Sequence, residues 1–362
     1  MTKEASIGKA NTLQNEYKLL ESVDFFVDII KEIQSAKSRI WIQTMALEAC
    51  HMTNLIIHHL KEAVGRGVDV RIVYDAYSNF IIDNNFVTIP SLKKENRQYN
   101  RFLLACFTQL KTSLQSSFLV NVTNVPIGFL RNMPLHGIMG RDHKKITIID
   151  DVGYLGGLNF TNLDARRKDF MFKMNNYSIV CRLAQIFENS FNNQNSDKNL
   201  LWCDINNTVL TDAGESSKSS IIELVYDLVT AETQSIKIIS PFTPTGNLRK
   251  LLNNATIRGV KVEVYTSEIK SLGFKPILSQ IIHNFGHEKI LFDIIRFPGI
   301  VHAKAILFAE HTAIFGSHNF DELLVFLGTE EVSLYTKDPA IISQLKNYAY
   351  CMYQVSNLQV NQ

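Results

Sequence analysis

The sequence has few cysteines, and their spacing indicates neither a metal site nor a redox pair. Its 362 residues include five cysteines, which lie far apart at Cys50, Cys106, Cys181, Cys203 and Cys351. Structural zinc sites and dithiol redox centres use cysteines separated by two residues, and this chain has no such pair. We therefore expect a protein of a reducing compartment.

The chain also lacks an excess of charge and a long hydrophobic run. Its 37 Lys and Arg residues nearly balance its 35 Asp and Glu residues, which falls short of the basicity usual in nucleic-acid-binding proteins. No apolar run approaches the roughly 18 residues that a membrane span requires, and residues 1–11 lack the apolar segment of a classical signal peptide. We expect a protein without a transmembrane segment, in the cytoplasm or at a membrane surface.

What the chain does have is an internal repeat. In each half, the apolar periodicity predicts a helix, a strand, a second helix and a second strand in this order. They lie at 24–34, 39–43, 54–64 and 68–74 in the first half and at 221–231, 236–240, 248–256 and 260–265 in the second. An Arg-Gly-Val sequence precedes the second strand of both halves. The alternation of strands and helices argues for α/β layers.

The two halves differ in length. We predict an N-terminal lobe over residues 1–210 and a C-terminal lobe over 211–362, with the boundary in the polar stretch 206–220. The spacing of the repeated motifs shows that the first half carries an insertion, which we place at about 79–131. We interpret this phenylalanine-rich insertion as a helix and loop packed on its own lobe. A lid that grips the substrate is the alternative.

Each half carries one copy of a histidine–lysine motif. The first copy reads HxKxxxxD, followed by two glycines and an asparagine. The second reads HxK, followed after a similar interval by glycine, serine and asparagine. The members are His143, Lys145, Asp150, Gly156, Gly157 and Asn159 in the first half and His302, Lys304, Gly316, Ser317 and Asn319 in the second. A single copy would be weak evidence, whereas two copies in matched halves are strong.

Strand geometry relates the members of each motif. Residues two apart in a strand point the same way, so each histidine shares a face with its lysine. Asp150 falls on the opposite face, and we expect it to brace the end of the strand. The second half has Ala309 at the matching position and therefore lacks this carboxylate. A bracing role at the end of a strand is not part of the chemistry, so its loss need not abolish activity. If the halves pack about a pseudo-twofold axis, two histidines, two lysines and two asparagines converge on one pocket, which suits a phosphodiester.

Cleavage of a phosphodiester requires a nucleophile, donors for the charged oxygens and a proton for the leaving alkoxide. One imidazole can attack phosphorus and form a phosphohistidine. The other can protonate the leaving oxygen and then activate the water or alcohol that releases the product. Lys145, Lys304, Asn159 and Asn319 would hold the phosphoryl oxygens. Because these groups perform the usual task of a metal ion, we expect neither a metal site nor a cofactor.

Acidic residues are candidates to orient the histidines through their second ring nitrogen. Asp169 and Glu331 each follow the asparagine of their half by ten to twelve residues and stand before an apolar, strand-like run. Glu330 competes with Glu331 for the role beside the second histidine, His302. The alternative interpretation is that these acids are solvated residues at the start of a strand.

The two motifs resemble those of the phospholipase D superfamily, over nearly the whole chain. The run from Arg141 to Lys145, together with Gly156, Gly157 and Asn159, is most similar to the bacterial cardiolipin synthase and phosphatidyltransferase branch. The resemblance implies two pseudo-twofold-related α/β sandwich lobes, with mixed sheets flanked by helices and one active site at their junction.

The resemblance also implies a metal-independent phosphohistidine mechanism. His143 would be the nucleophile, His302 the general acid and Ser317 a supporting hydroxyl in substrate binding. The sequence departs from the family pattern in a shorter turn after Asp150, in Ala309 and in Gly157, which replaces a serine. None of these departures removes a proposed catalytic group.

We expect an enzyme that acts on phospholipids at a membrane surface, by hydrolysing the head group or by transferring a phosphatidyl unit to an alcohol. The apolar residues of the insertion favour a lipid. A nuclease or nucleic-acid phosphodiesterase is the first alternative, and a phosphate-binding pseudoenzyme, suggested by Ala309, is the second. We interpret the basic run 93–101 as a solvated face and the histidines outside the motifs as structural or surface residues.

Overall fold

The computed structural model describes residues 16–76, 81–82, 85–86, 108–109, 112–123, 140–194, 200–268, 289–309 and 311–360. The basic run 93–101 and most of the predicted insertion lie outside these residues. Among the described helices, none combines the length and the hydropathy that crossing a bilayer requires.

The first half builds a seven-stranded mixed sheet and a small hairpin. In chain order the strands are β1 (Tyr17–Glu21), β2 (Arg39–Thr44), β3 (Asp69–Asp75), β4 (Ile81–Ile82), β5 (Asn85–Phe86), β6 (Leu119–Thr123), β7 (Ile146–Ile149), β8 (Val152–Gly156) and β9 (Phe170–Met174). The order across the sheet is β1-β9-β8-β7-β2-β3-β6, while β4 and β5 pair with each other. Strands β2, β3 and β6 are parallel, and the remaining pairs are antiparallel.

The second half builds an eight-stranded mixed sheet on the same plan. Its strands are β10 (Leu200–Trp202), β11 (Asn207–Ala213), β12 (Ser235–Ile239), β13 (Lys261–Ser267), β14 (Asp293–Phe297), β15 (Ala305–Phe308), β16 (Thr312–Gly316) and β17 (Glu330–Thr336). The order is β10-β11-β17-β16-β15-β12-β13-β14, again with three parallel strands at one edge. The predicted architecture of two related α/β lobes is confirmed.

Two boundaries differ from the sequence prediction. Strand β6 falls within the predicted insertion 79–131, yet it occupies the place of β14 and belongs to the repeat. Strand β11 begins before residue 211 and joins the second sheet, as does β10. The stretch that we interpreted as a polar linker is partly a strand whose polar side chains, such as Asn207 and Asp212, are buried.

The helices cover the sheets. They are α1 (Ser22–Ser35), α2 (His51–Gly65), α3 (Tyr177–Phe191), α4 (Ser220–Ala231), α5 (Gly246–Ile257), α6 (Glu322–Phe326) and α7 (Pro339–Val360), with a 3-10 turn at Asp164–Arg166. As the periodicity predicts, α1 buries Phe25, Phe26, Ile29 and Ile33. From the described part of the insertion, Leu114 and Phe118 are buried in the same core.

The repeated Arg-Gly-Val sequence has one structural role in both lobes. Gly67 and Gly259 have φ values of +87° and +91°, a left-handed conformation that suits glycine after a helix. The arginine before each glycine binds the C-terminal end of the first helix of its lobe. Arg66 donates to the carbonyl of Ile33 in α1 (2.7 Å), and Arg258 donates to the carbonyl of Val229 in α4 (3.0 Å). Each lobe thus ties its two helices together before the second strand.

The two lobes share a hydrophobic core. Helices α3 and α7 contribute buried side chains to one cluster that includes residues of both sheets. At its centre, the rings of Phe172 in β9 and Phe315 in β16 lie 4.6 Å apart. This shared core fixes the two sheets relative to one another and so positions the two motifs.

Candidate active site

Two short backbone bridges join the lobes beside the motifs. In the first, His143 N donates to Glu330 O (2.9 Å), and Glu330 N donates to Arg141 O (2.7 Å). In the second, Lys168 O accepts a hydrogen bond from His302 N (2.9 Å). Each motif is thereby held against the segment that carries the acidic residue of the other lobe.

The two histidines pair with acids across the lobes. Nδ1 of His143 lies 2.9 Å and 3.0 Å from the carboxylate oxygens of Glu331. Nδ1 of His302 lies 2.6 Å from Oδ2 of Asp169. The expectation that Glu331 or Glu330 would orient His302 is therefore wrong, because the bridges place each acid beside the motif of the other lobe.

For His143, the contact with Glu331 determines which ring nitrogen is protonated. An ionised carboxylate only accepts hydrogen bonds, so it holds the proton of the imidazole on Nδ1 and leaves the lone pair on Nε2. Burial lowers the pKa of His143 to about 4 against the opposing charge of Glu331, so this ring is neutral near pH 7. Burial, followed by the charges of Lys304 and Arg167, lowers the pKa of His302.

The two lysines lie beside the histidines of their own motifs. Nζ of Lys145 donates to the carbonyl of His143 (2.6 Å). Nζ of Lys304 lies 2.9 Å from Nδ1 of His302 and donates to its carbonyl. Burial lowers the pKa of Lys145 to about 8 and that of Lys304 to about 7. A bound anion would therefore stabilise the charged form of both lysines.

The lysine of each motif lowers the pKa of the histidine in the other motif, across the lobe junction. The charge of Lys304 lowers the pKa of His143, and the charge of Lys145 lowers the pKa of His302. The charge of His143 also lowers the pKa of His302. The two imidazoles and the two ammonium groups thus influence one another electrostatically.

The two asparagines of the motifs are also buried. Oδ1 of Asn159 accepts hydrogen bonds from Ala46 N (3.2 Å) and Thr44 Oγ1 (3.4 Å), which orient the carboxamide. Oδ1 of Asn319 is buried and has no hydrogen-bond partner within the part of the chain that the structure describes. This oxygen is an acceptor that needs a donor from a water or a ligand, whereas Nδ2 of the same amide can donate to a phosphoryl oxygen.

The two acids have different neighbours at the position after the repeated glycine, which is Gly316 in the second lobe and Gly156 in the first. In the second lobe, the hydroxyl of Ser317 donates to the carboxylate of Glu331. In the first lobe, Gly157 holds this position, and a Cβ built there would overlap the carboxylate of Asp169. Although burial opposes ionisation, the charge and hydrogen bond of His143 hold the pKa of Glu331 below its ordinary value. Burial raises the pKa of Asp169 to about 6.

Asp150 contacts the backbone of a neighbouring strand. Its carboxylate accepts hydrogen bonds from the backbone N of Lys37 (2.9 Å) and Ser38 (2.8 Å), just before β2. Its φ is +50°, and Ala309 adopts φ +43° at the matching turn. There the N of Ala309 donates to Ser235 O (2.8 Å). The second lobe therefore forms the same turn without a carboxylate.

Sequence reasoning missed an ion-pair cluster behind the first motif. Lys144 is fully buried and pairs with Glu330 and with Asp142 (3.3 Å). This pairing explains why Glu330, one residue from the acid that binds His143, does not take that role. The sequence signal was the lysine between the two motif residues, which strand alternation places on the opposite face.

Sequence reasoning also missed a second carboxylate beside His302. Oδ1 of Asp164 lies 3.5 Å from Nδ1 of this histidine, and Arg167 Nη1 (3.2 Å) and Thr161 Oγ1 (2.5 Å) bind the carboxylate. Asp164, Asp169 and His302 offer possible metal-ligand atoms within 4.8 Å of one another. The histidine nitrogen in this group is already hydrogen-bonded to Asp169, an arrangement that orients the ring.

A second group of possible metal ligands lies on α2, away from the motifs. It comprises His58, His59 and Glu62, of which His58 and Glu62 are exposed. His59 Nδ1 and Glu62 Oε2 are 2.8 Å apart. We assign no function to this group.

The chain is similar to known proteins over most of its length. The family model described as "Cardiolipin synthase, PLD-like domain" matches residues 29–192 and 225–352. A cardiolipin synthase of Oceanobacillus iheyensis is 24% identical over 359 residues, which cover 91% of this chain and 68% of that protein. The probable cardiolipin synthase YwiE of Bacillus subtilis is 24% identical over 369 residues, which cover 93% and 65%. The chain thus spans about two thirds of the length of these relatives.

Solved structures share the fold. Phosphatidylserine synthase of Haemophilus influenzae has a TM-score of 0.67 at 13% identity, covering 93% of this chain and 85% of that one. Polyphosphate kinase of Porphyromonas gingivalis has a TM-score of 0.57 at 12% identity, covering 92% and 49%. These similarities concern the fold alone.

Proposed function

The chain belongs to the family of cardiolipin synthase-like, phospholipase D-like domains, and we propose that it transfers the phosphatidyl group of a phospholipid to an alcohol. The observation that carries this proposal is the crossed pairing of His143 with Glu331 and of His302 with Asp169. It orients both imidazoles at the lobe junction, and Lys145 and Lys304 beside them supply cations for a bound phosphodiester. We also propose that the protein works at the surface of a membrane, where its lipid substrate resides.

In the first step, Nε2 of His143 attacks phosphorus and forms a P–N bond while the P–O bond to the head group breaks. Nδ1–H remains hydrogen-bonded to Glu331, whose negative charge stabilises the resulting positive ring. His302 donates a proton from Nε2 to the departing oxygen, so the head group leaves as an alcohol.

His302 must therefore be protonated when substrate is bound. In the free protein, burial and the neighbouring cations lower its pKa. The negative charge of a bound phosphodiester offsets these cations and raises the pKa of His302 again. Substrate binding itself thus favours the acid form that the first step requires.

In the second step, the neutral His302 accepts the proton of an incoming hydroxyl, whose oxygen attacks phosphorus. The P–N bond breaks, His143 becomes neutral again, and the phosphatidyl group is joined to the new alcohol. Water in place of the alcohol gives phosphatidic acid. Lys145, Lys304, Asn159 and Asn319 hold the phosphoryl oxygens in both steps and supply the charge stabilisation without a metal ion.

The test is an incubation with phospholipid vesicles and ethanol in the presence of EDTA. Phosphatidylcholine, phosphatidylethanolamine and phosphatidylglycerol are offered as donors in separate reactions. We expect phosphatidylethanol from at least one of them. Absence of both phosphatidylethanol and phosphatidic acid with all three donors would overturn the proposal, and cleavage of DNA or RNA instead would favour the nuclease alternative.

A further inference from the structure

The cations around the active site are distributed unequally between the lobes. Between Asn159 and Asp169, the first lobe has three consecutive cations, Arg166, Arg167 and Lys168. Between Asn319 and Glu331, the second lobe has no lysine or arginine. The pseudo-twofold relationship therefore does not account for this run.

Of the three cations, only Arg167 is buried. Arg166 is exposed, and Lys168 forms an ion pair with Glu21 (2.5 Å) on the outer side. The side chain of Arg167 is 6% exposed and is fixed by its ion pair with Asp164 (3.2 Å). An arginine that is buried and held in this way is a preorganised cation.

Arg167 keeps a hydrogen-bond donor unused. Its Nε is buried and has no partner in the regions that the structure describes. Burying an N–H group without an acceptor is unfavourable, so this donor needs an acceptor from outside the chain, which the oxygen of a ligand or of a water can supply. The flat guanidinium matches the oxygens of a phosphate group better than an ammonium does.

Arg167 lies on the side of His302. Oδ1 of Asp164 binds Nη1 of Arg167 and is also 3.5 Å from Nδ1 of His302. The charge of Arg167 lowers the pKa of His302 and that of Lys304. Under the proposed function, His302 activates the incoming hydroxyl, so the acceptor alcohol approaches on this side.

We propose that Arg167 binds a phosphate group on the acceptor, so that the enzyme prefers an alcohol that carries a phosphate over an uncharged alcohol. This inference rests on the proposed function. The paired lysines and asparagines of the two motifs bind the phosphodiester that is cleaved. Arg167 lies outside that symmetric set and binds the second anion. Asp164 acts through Arg167 and His302 as a positioning residue.

The test compares two acceptors that differ only in the phosphate. Phosphatidylcholine vesicles are incubated with glycerol or with glycerol 3-phosphate, and kcat and KM are measured for each acceptor. For Arg167→Gln, we expect the kcat/KM for glycerol 3-phosphate to fall about tenfold or more relative to that for glycerol. The change should lie mainly in KM for the phosphorylated acceptor, since the interaction is one of binding.

Two further variants make the outcome decisive. Arg166→Gln removes the exposed neighbouring cation and should leave the ratio of the two kcat/KM values unchanged. Arg167→Lys keeps the charge beside Asp164 but lacks the guanidinium, and it should lower the ratio less than Arg167→Gln does. If Arg167→Gln is too unstable to assay, Arg167→Lys decides.

The results separate this inference from the proposed function. An unchanged ratio in both Arg167 variants, while transfer to glycerol continues, would overturn the role of Arg167 and leave the proposed function intact. A wild-type protein that transfers phosphatidyl groups to neither glycerol, glycerol 3-phosphate nor ethanol would overturn the proposed function, and this inference with it.

Discussion

The imidazole of His143 is hydrogen-bonded through Nδ1 to both carboxylate oxygens of Glu331, which lies in the opposite lobe. The matching pair of His302 and Asp169 crosses in the other direction. Because each lobe supplies the acid that orients the histidine of the other, neither lobe alone contains a complete histidine–acid pair.

Replacement of the two histidines should separate the two chemical steps. Both His143→Asn and His302→Asn should lower turnover by about 10²-fold or more, because each removes a group that reacts in the proposed mechanism. With a phosphatidyl ester of p-nitrophenol labelled at phosphorus, whose leaving group needs no proton from His302, His302→Asn should accumulate an acid-labile phosphoprotein, since release still needs this histidine. His143→Asn should remain unlabelled. Labelling of His143→Asn would show that another residue is the nucleophile.

Two adjacent glutamates should have different effects. Glu331→Gln removes the negative charge that orients and stabilises His143, and we expect kcat to fall about 10²-fold or more. Glu330→Gln disturbs the ion pair with Lys144 and should lower the temperature of unfolding with a much smaller effect on kcat. A larger loss of kcat in Glu330→Gln than in Glu331→Gln would contradict the observed pairing.

The rate should depend on pH in a narrow range. Burial raises the pKa of Asp169 to about 6 and lowers those of Lys304 and Lys145 to about 7 and 8. Below about pH 6, Asp169 becomes protonated and no longer stabilises the charged form of His302. At alkaline pH the lysines lose the charge that binds phosphate. We expect a bell-shaped profile of kcat/KM with its maximum near neutrality, whereas a flat profile from pH 5 to 9 would argue against these assignments.

Asp169→Asn should lower activity and increase stability at alkaline pH. The pKa of Asp169 is higher in the folded protein than in the unfolded chain, so the folded state binds more protons between about pH 4 and 6. The contribution of this carboxyl to stability is present at low pH and is lost as the pH rises through about 6. Asp169→Asn should therefore increase the free energy of unfolding at pH 8, by on the order of 2 kcal/mol, and much less at pH 4, while kcat falls. Calorimetry at the two pH values measures the difference.

Gly157→Ala tests the close approach of the backbone to Asp169. An added Cβ overlaps the carboxylate, so we expect the variant to displace Asp169 and to lower kcat at least about tenfold, together with stability. Gly65→Ala is the matched control, because a Cβ there meets nothing within 4 Å. Gly65 lies in a helix, where alanine should be neutral or stabilising by up to about 1 kcal/mol. Equal losses in both variants would contradict this explanation.

The sequence predicts the repeat and the motif residues because both leave local patterns. Helix and strand periodicity locates the shared elements of the two lobes, and strand alternation separates Asp150 from His143 and Lys145. The crossing of the acids has no such local signal, since it depends on which segments the lobe junction brings together. Glu330 and Glu331 are equally acidic, and only their opposite faces on β17 distinguish them.

The lack of a local sequence signal also explains why the predicted lobe boundary differs from the observed one. Strand β11 contains buried polar residues that satisfy one another, as when Thr336 Oγ1 donates to Asn207 Oδ1 (2.7 Å), and composition alone suggests a linker there. A run of three cations usually indicates a solvated surface, so the sequence does not single out Arg167. Its burial becomes evident only when Asp164 and His302 are seen beside it.

The contact between Phe172 and Phe315 makes each lobe depend on the other to cover an apolar face. A single lobe produced alone would expose the apolar face that this contact covers, and it would be expected to associate with a second copy of itself. In a dimer of identical chains every substitution occurs twice, whereas here Gly157 and Ser317 differ, as do Asp150 and Ala309. Because one chain carries both lobes, the residues beside the two motif histidines can differ from one lobe to the other.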